Sequence, residues 1–220
     1  KKTGRKNKEN ILVFSAHSDD FVLGAGATIA KYTKEGKNVH CIVFSYGEQS
    51  HPWIKEEEVQ KMRSKEGHDA AKVLGCTVEF FDLLELKFIS GAKDKKVVDK
   101  LVKIVKKLKP QKIFTHSKDD PHPDHKAVNK LTLEMFEKLK KYERPGLFVF
   151  SVWNPIDLRT AYPALKVKVK NTFSKKVKAL DQFPSQYFHI IYPRFMIYFR
   201  GINEGLKMGT LFAEKFYKIK

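Results

Sequence analysis

Four short runs rich in β-branched and aromatic residues, ILVFSA (11–16), VHCIVFS (39–45), TVEFF (77–81) and KIFTH (112–116), alternate with longer stretches of helical pattern at about 22–36, 55–75, 94–109 and 124–141. Runs that are apolar throughout, rather than at every second position, suit strands buried on both faces. A strand–helix–strand order of this kind predicts an α/β fold in three layers, a mostly parallel sheet with helices on both faces. Gly36, Gly75 and Pro110 fall where helix ends should lie. Beyond them, GLFVFSV (146–152) and LKVKV (165–169) predict two more strands. Helices are expected over 174–183 and 199–217.

The chain has 220 residues, enough for one domain with a core of its own. No repeat, low-complexity tract or linker divides it, so 1–220 reads as a single domain with a polar, disordered tail, KKTGRKNK, at 1–8. No apolar run is long enough to cross a bilayer. Two cysteines, Cys41 and Cys76, lie in or near apolar segments, which argues against a disulfide framework and for a reduced, cytoplasmic setting. A chain that starts at a lysine leaves open a removed leader. The formal net charge is +18, from 43 Lys+Arg against 25 Asp+Glu, which raises the question of a polyanionic partner. Yet the lysines are dispersed, as in KKLKPQK (106–112) and KLKK (138–141). A solvated basic surface fits that spread better than a nucleic-acid reader, so no specific nucleic acid is expected.

In an open parallel sheet the ligand site lies outside the carboxyl ends of the strands. His17, Asp19 and Asp20 follow the first strand, and HSKDDPHPDH (116–125) follows the fourth. If both strands are central, the two clusters converge. Imidazoles and carboxylates together are what a divalent metal requires, and a catalytic zinc has three protein ligands with one position left for water, which a His/Asp/His set would fill. Adjacent aspartates in a turn point in different directions, so one can ligate while the other takes the proton of the activated water as it attacks a carbonyl. A further histidine can stabilise the oxyanion. Taken singly, the groups have plainer readings: Asp19 or Asp20 as a helix N-cap, His122-Pro123 as a surface turn. Both clusters at the ends of two parallel-type strands favour the metal site.

At these residues the sequence resembles the LmbE-like, or PIG-L, family of zinc-dependent N-deacetylases. The first signature, A-H-x-D-D, is present as Ala16-His17-Ser18-Asp19-Asp20, and the second, H-P-D-H, as His122-Pro123-Asp124-His125. MRSKEGHDAAKVLG (62–75), ALDQFPSQ (179–186) and RGINEGLKMGTLFAEKF (200–216) extend the likeness over most of the chain. The resemblance implies a Rossmann-like parallel sheet, in agreement with the pattern above. It implies one zinc ion per chain on His17, Asp20 and His125, with Asp19 as general base. It further implies that His122 stabilises the oxyanion or protonates the departing amine, that Asp124 orients a histidine from outside the ligand set, and that Arg63 contacts substrate. A solvated Arg63–Glu66 pair at i, i+3 is the plainer reading of that arginine. Two positions depart from the family pattern: Ser18 where proline is frequent, and Phe21 where an acidic residue commonly follows the aspartate pair. The family's substrates are N-acetylglucosamine units joined to inositol, malic acid or another sugar, in a small molecule or glycoconjugate.

Two other readings compete. A basic, non-catalytic protein for an anionic partner would need no metal, which the intact histidine and aspartate sets oppose. A phosphoester hydrolase would call for a two-metal centre, for which the carboxylates are too few. Specificity is expected in SYGEQSHPWIKEEE (45–58), where Tyr46, His51 and Trp53 can stack on a sugar or serve as lid packing. FHIIYPRFMIYFR (188–200) is expected to pack in the core, with a lipid-bearing substrate or a neighbouring subunit of a homo-oligomer as the alternatives. Gly201, Gly205 and Gly209 would give the final helix one smooth face.

Overall fold

In the computed structural model, which describes residues 8–94, 96–154 and 162–220, the first apolar run forms strand β1 (Asn10–Ser15), with Ile11 to Ser15 fully buried. It pairs in parallel with β2 (Asn38–Val43) on one side and β4 (Lys112–His116) on the other. β3 (Thr77–Phe80) extends the sheet beyond β2, and β5 (Gly146–Phe150) beyond β4, again in parallel. At the far edge the direction reverses: β7 (Ala213–Lys218) runs antiparallel to β5 and to β6 (Ala164–Lys168). The strand order is β3-β2-β1-β4-β5-β7-β6. Of the expected tail, residues 1–7 lie outside the described residues.

Because successive side chains of a strand point to opposite faces, β1 feeds two cores. Ile11 and Val13 pack with residues of α1 (Asp20–Lys34), α2 (Glu56–Leu74) and α6 (Phe173–Leu180), among them Ala25, Leu74 and Leu180. Leu12 and Phe14 pack with residues of α3 (Phe88–Asp94), α4 (Val97–Leu108) and α5 (Pro123–Glu137), among them Phe88, Leu101 and Met135. The three expected layers are therefore present. Burying each large apolar side chain is worth roughly 1.5–3 kcal/mol, so truncating Phe14, at the centre of the second core, to alanine should cost about 3–5 kcal/mol. Gly75 ends α2 in the left-handed region (φ 79°), its N–H donating to the Ala71 carbonyl at 2.8 Å.

Four expectations are corrected. The helix expected over 94–109 begins at Val97, after Lys96 in a left-handed conformation (φ 51°), and the short α3 precedes it. The helix expected over 199–217 is instead α7 (Ile191–Leu206) followed by β7. Gly209 (φ 62°) lies in the turn between them, and the AEKFYK segment is drawn into the sheet because it supplies the ladder joining β5 to β6. The glycine repeat is thus not one helix face. Gly205 serves the turn: a Cβ there would come within 2.5 Å of the Leu211 carbonyl oxygen as the chain doubles back. Finally, 188–200 does not pack wholly in the core. Pro193, Met196 and Ile197 are buried, but Phe188, Ile191, Tyr192, Phe195 and Phe199 are exposed. Among the described residues no helix is long and apolar enough to cross a membrane.

Candidate active site

β1 and β4 are neighbours, and the chain continues from β1 toward β2 but from β4 toward β5. Loops leaving their carboxyl ends therefore diverge and open a crevice. His17 and Asp19 lie in the turn after β1, and Asp20 is the first residue of α1. His116 ends β4, while His122 caps α5 and His125 lies in its first turn. Residues about a hundred positions apart are so brought within a few ångströms.

Asp20 is the hub. Its Oδ2 accepts the His17 N–H at 2.9 Å and lies 3.4 Å from His17 Nδ1, 3.2 Å from His125 Nε2 and 3.4 Å from His116 Nε2. Ligand-capable atoms of His17, Asp20 and His125 all fall within 4.8 Å of one another, and all three residues are buried. Both ring nitrogens of His125 are buried with no hydrogen-bond partner, Nε2 on the side of Asp20. An orphaned imidazole nitrogen facing a carboxylate and a second imidazole is the donor set that zinc takes, so these residues fit such a cation.

The electrostatics agree with that fit. Burial alone would raise Asp20, yet His125 and His116 hold it well below the usual carboxylate range. Burial opposes a charge on His125, but Asp20 and Asp120 outweigh it and raise that imidazole to about 9. His17 is likewise raised well above its ordinary value against burial, by Asp124, Asp20 and Glu85. The carboxylates thus create a potential that favours positive charge at this point. His122 goes the other way, to about 4, through burial and then the charges of His17 and His125.

Asp19 precedes α1 but makes no side-chain capping bond, so its carboxylate is not spent on the helix. Its Oδ1 accepts from Arg63 Nη2 at 3.4 Å. Arg63 is only 2% exposed; its Nε donates to the Tyr46 carbonyl at 3.0 Å, and Nη1 is buried without a hydrogen-bond partner. The solvated Arg63–Glu66 pair is therefore corrected. Glu66 is buried too, 3.9 Å from Arg63 Nη1, and accepts from the Ser185 N–H and hydroxyl at 2.9 and 2.6 Å. His17, Asp19, Asp20, Arg63 and His122 all line one cleft of about 230 Å³, with Trp153, Gln186 and His189 on its walls. Asp124 lies beside it, its Oδ2 3.2 Å from His17 Nε2 and both oxygens accepting the Leu86 N–H; its own N–H donates to His122 Nδ1 at 3.2 Å. The histidine that its carboxylate meets is His17 rather than its neighbour His122.

Sequence reasoning missed three participants. Asp120 Oδ1 lies 2.9 Å from His125 Nδ1, and its Oδ2 accepts the Val152 and Trp153 N–H groups at 2.8 and 3.2 Å. His116 Nε2 accepts the Ala16 N–H at 3.0 Å, and burial, followed by the charge of His125, lowers it to about 4, which keeps that lone pair free for the bond. Both residues stand inside the 116–125 cluster, where their polarity at a strand end was the available signal. Glu85 had none: it comes from the irregular segment after β3 and places Oε1 3.6 Å from His17 Nε2, while Glu48 accepts its backbone N–H at 2.9 Å. At the rim, the Tyr46 ring stacks on Phe80 (centroids 4.7 Å apart) and so packs rather than faces the cleft. Trp53 is 80% exposed, and its neighbour His51 sits between it and His189, at 6.3 and 6.4 Å. Phe21, in place of an acidic residue, is fully buried in the core.

Residues 12–136 match the family model described as PIG-L, GlcNAc-PI de-N-acetylase. Among curated proteins, the chain is 33% identical over 135 residues to 4-oxalmesaconate hydratase of Pseudomonas putida, a match covering 58% of this chain and 51% of that protein. It is 24% identical over 191 residues to a probable N-acetyl-alpha-D-glucosaminyl L-malate deacetylase 2 of Bacillus anthracis, covering 83% of each. The chain thus spans about half the length of the hydratase. Among solved structures, GalB, the 4-carboxy-2-hydroxymuconate hydratase from P. putida KT2440, superposes with a TM-score of 0.82 at 25% identity, covering 96% of both chains.

Proposed function

This chain belongs to the PIG-L family, and on that premise we propose that it is a zinc-dependent hydrolase removing the acetyl group from an N-acetylglucosamine-containing small molecule or glycoconjugate. The observation that carries the reading is Asp19: a carboxylate in the cleft, free of helix capping, directly beside the His17/Asp20/His125 cluster. A zinc ion held by those three residues, one per chain, would polarise the amide and make water a stronger acid. The protein's own part is then proton handling and orientation. Asp19 takes a proton from the attacking water, and Arg63, engaged at 3.4 Å, keeps that carboxylate aimed. His122 faces the same cleft, and because its Nδ1 accepts the Asp124 N–H, the neutral ring carries its proton on Nε2 and donates a hydrogen bond to the developing oxyanion, while the proton taken by Asp19 passes to the departing amine. Asp124 fixes His17, and Arg63 Nη1 is left to meet a substrate oxygen.

A second reading rests on the hydratase relative: the same base and cation would add water across an electron-poor carbon–carbon double bond of an unsaturated acid. Metal analysis of the purified protein, with amine release from a panel of N-acetylglucosaminyl compounds and loss of absorbance from an unsaturated oxo-dicarboxylate, separates the two. Amine release at a rate that follows the bound metal content supports deacetylation. Loss of the chromophore without amine release overturns it in favour of hydration.

A further inference from the structure

Helix α7 is apolar on both of its sides. Pro193, Met196, Ile197, Gly201 and Gly205 face the body of the protein. At 3.6 residues per turn, Ile191, Tyr192, Phe195, Tyr198, Phe199, Ile202 and Leu206 fall in one stripe about 120° wide on the opposite side. All seven are exposed, from 37% for Tyr198 to 72% for Leu206, and no charged residue of the helix falls within the stripe. Tyr187 and Phe188, 60% and 81% exposed, continue it ahead of the helix. A surface helix of a lone globular protein turns charged and polar residues to water, whereas one that is apolar all round is a buried helix. The arginines of α7 lie off the stripe and are engaged within the chain. Arg194 pairs with Asp181 at 2.6 Å, and Arg200 donates to the Ser151 and Val152 carbonyls at 2.5 and 2.8 Å.

We propose that this stripe is the interface of a homodimer, packed against the same stripe of a second copy across a twofold axis. With ~150–250 Å² for a large apolar side chain, the exposed fractions come to roughly 700–1,000 Å² per chain, which matches the ~800 Å² that each partner contributes to a stable interface. An uncharged stripe is its own complement under a twofold rotation, because every apolar group meets another and no like charges are opposed. The net charge of +18 does not forbid this, since the lysines lie off the stripe and salt screens them beyond ~8 Å. An anionic membrane is the less fitting occupant: an interfacial helix adheres through lysines and arginines on its polar side, and here Arg194 is neutralised at the surface by Asp181 and Arg200 is bonded to two backbone carbonyls. Ile190 and Pro193, at the start of the helix, line the active-site cleft, so the interface would also brace that wall.

The test is sedimentation equilibrium at roughly 100 µM, far above the micromolar dissociation constants expected at the weak end for such an area, on the wild type and on Phe195→Asp/Ile202→Asp. A dimeric wild type and a monomeric variant with unchanged circular dichroism are expected. Amide exchange on the wild type needs no variant to fold, and residues 191–206 should become more protected as concentration rises. A wild type that stays monomeric overturns the proposal, including one that instead cosediments with phosphatidylserine vesicles. So does a dimer that survives both substitutions, or exchange at 191–206 that is independent of concentration.

Discussion

Asp120 stands 2.9 Å from the Nδ1 of His125, the nitrogen opposite the one that faces Asp20, and holds the Val152 and Trp153 N–H groups with its other oxygen. One fully buried carboxylate, held to the loop after β5, thus makes a charge contact with the imidazole on the side of the ring away from the cluster. Burial works against its ionisation, but His125 outweighs it, and Asp120 is lowered to about 2.

A carboxylate behind a ligating histidine fixes its tautomer and orientation, and its loss typically costs 10–100-fold in metal affinity. Asp120→Asn should therefore weaken zinc binding by about that factor in calorimetric titration while the protein stays folded. Unchanged affinity would mean that Asp120 serves only the β5 loop.

The adjacent aspartates should fail differently. Asparagine keeps the shape of aspartate but cannot accept a proton at neutral pH, so with the proposed roles Asp19→Asn should bind zinc as the wild type does and lose roughly 10²–10⁴-fold in turnover. Asp20→Asn should lose zinc, because the hub of the cluster becomes a neutral amide. Zinc content and turnover measured on both variants check the assignment, and loss of metal from the Asp19 variant would reverse it.

Gly205 presents a conflict that magnitudes decide. In an exposed helix, replacing glycine with alanine gains about 1 kcal/mol. Here the added Cβ would meet the Leu211 carbonyl oxygen at 2.5 Å and the Thr210 carbonyl oxygen at 2.7 Å, both backbone atoms that cannot rotate away. Overpacking of this kind costs about 1–3 kcal/mol, so Gly205→Ala should lower the midpoint of urea unfolding rather than raise it.

A buried ion pair joins α6 to β7: Lys176 Nζ contacts Glu214 Oε1 at 2.6 Å and the Leu23 carbonyl at 2.8 Å, while Glu214 also accepts the Thr28 N–H at 2.7 Å. Burial pushes Lys176 down, against the pull of Glu214. Glu214→Leu strands the ammonium and should cost about 3–5 kcal/mol, whereas Lys176→Met with Glu214→Leu should recover most of it. Urea titrations of the single and double variants measure the difference; equal losses in both would show that the pair itself, not the stranded charge, carries the stability.

What the sequence determined by itself is the part written in local periodicity and local chemistry. Continuous apolar runs such as ILVFSA report burial on both faces, which only the middle of a covered parallel sheet provides, and the histidines and aspartates that end two of those runs mark the crevice. Tertiary structure decided the rest. Glu85 reaches His17 from an irregular segment with no period to read, and Arg63 is drawn from an apparently solvated i, i+3 pair into the wall beside Asp19 because Glu66 is held by Ser185, 119 residues away in the chain. The end of the chain is expected as one helix, with the glycines at 201, 205 and 209 on one face of it, yet 213–218 pairs into the sheet where β5 and β6 leave a ladder to fill. Helix α7 has the clearest lesson. Apolar spacing tells which side of a helix avoids water, but a helix apolar on both sides leaves undetermined which side the fold covers, and only the packing of the other elements decides that Met196 goes in and Phe195 stays out.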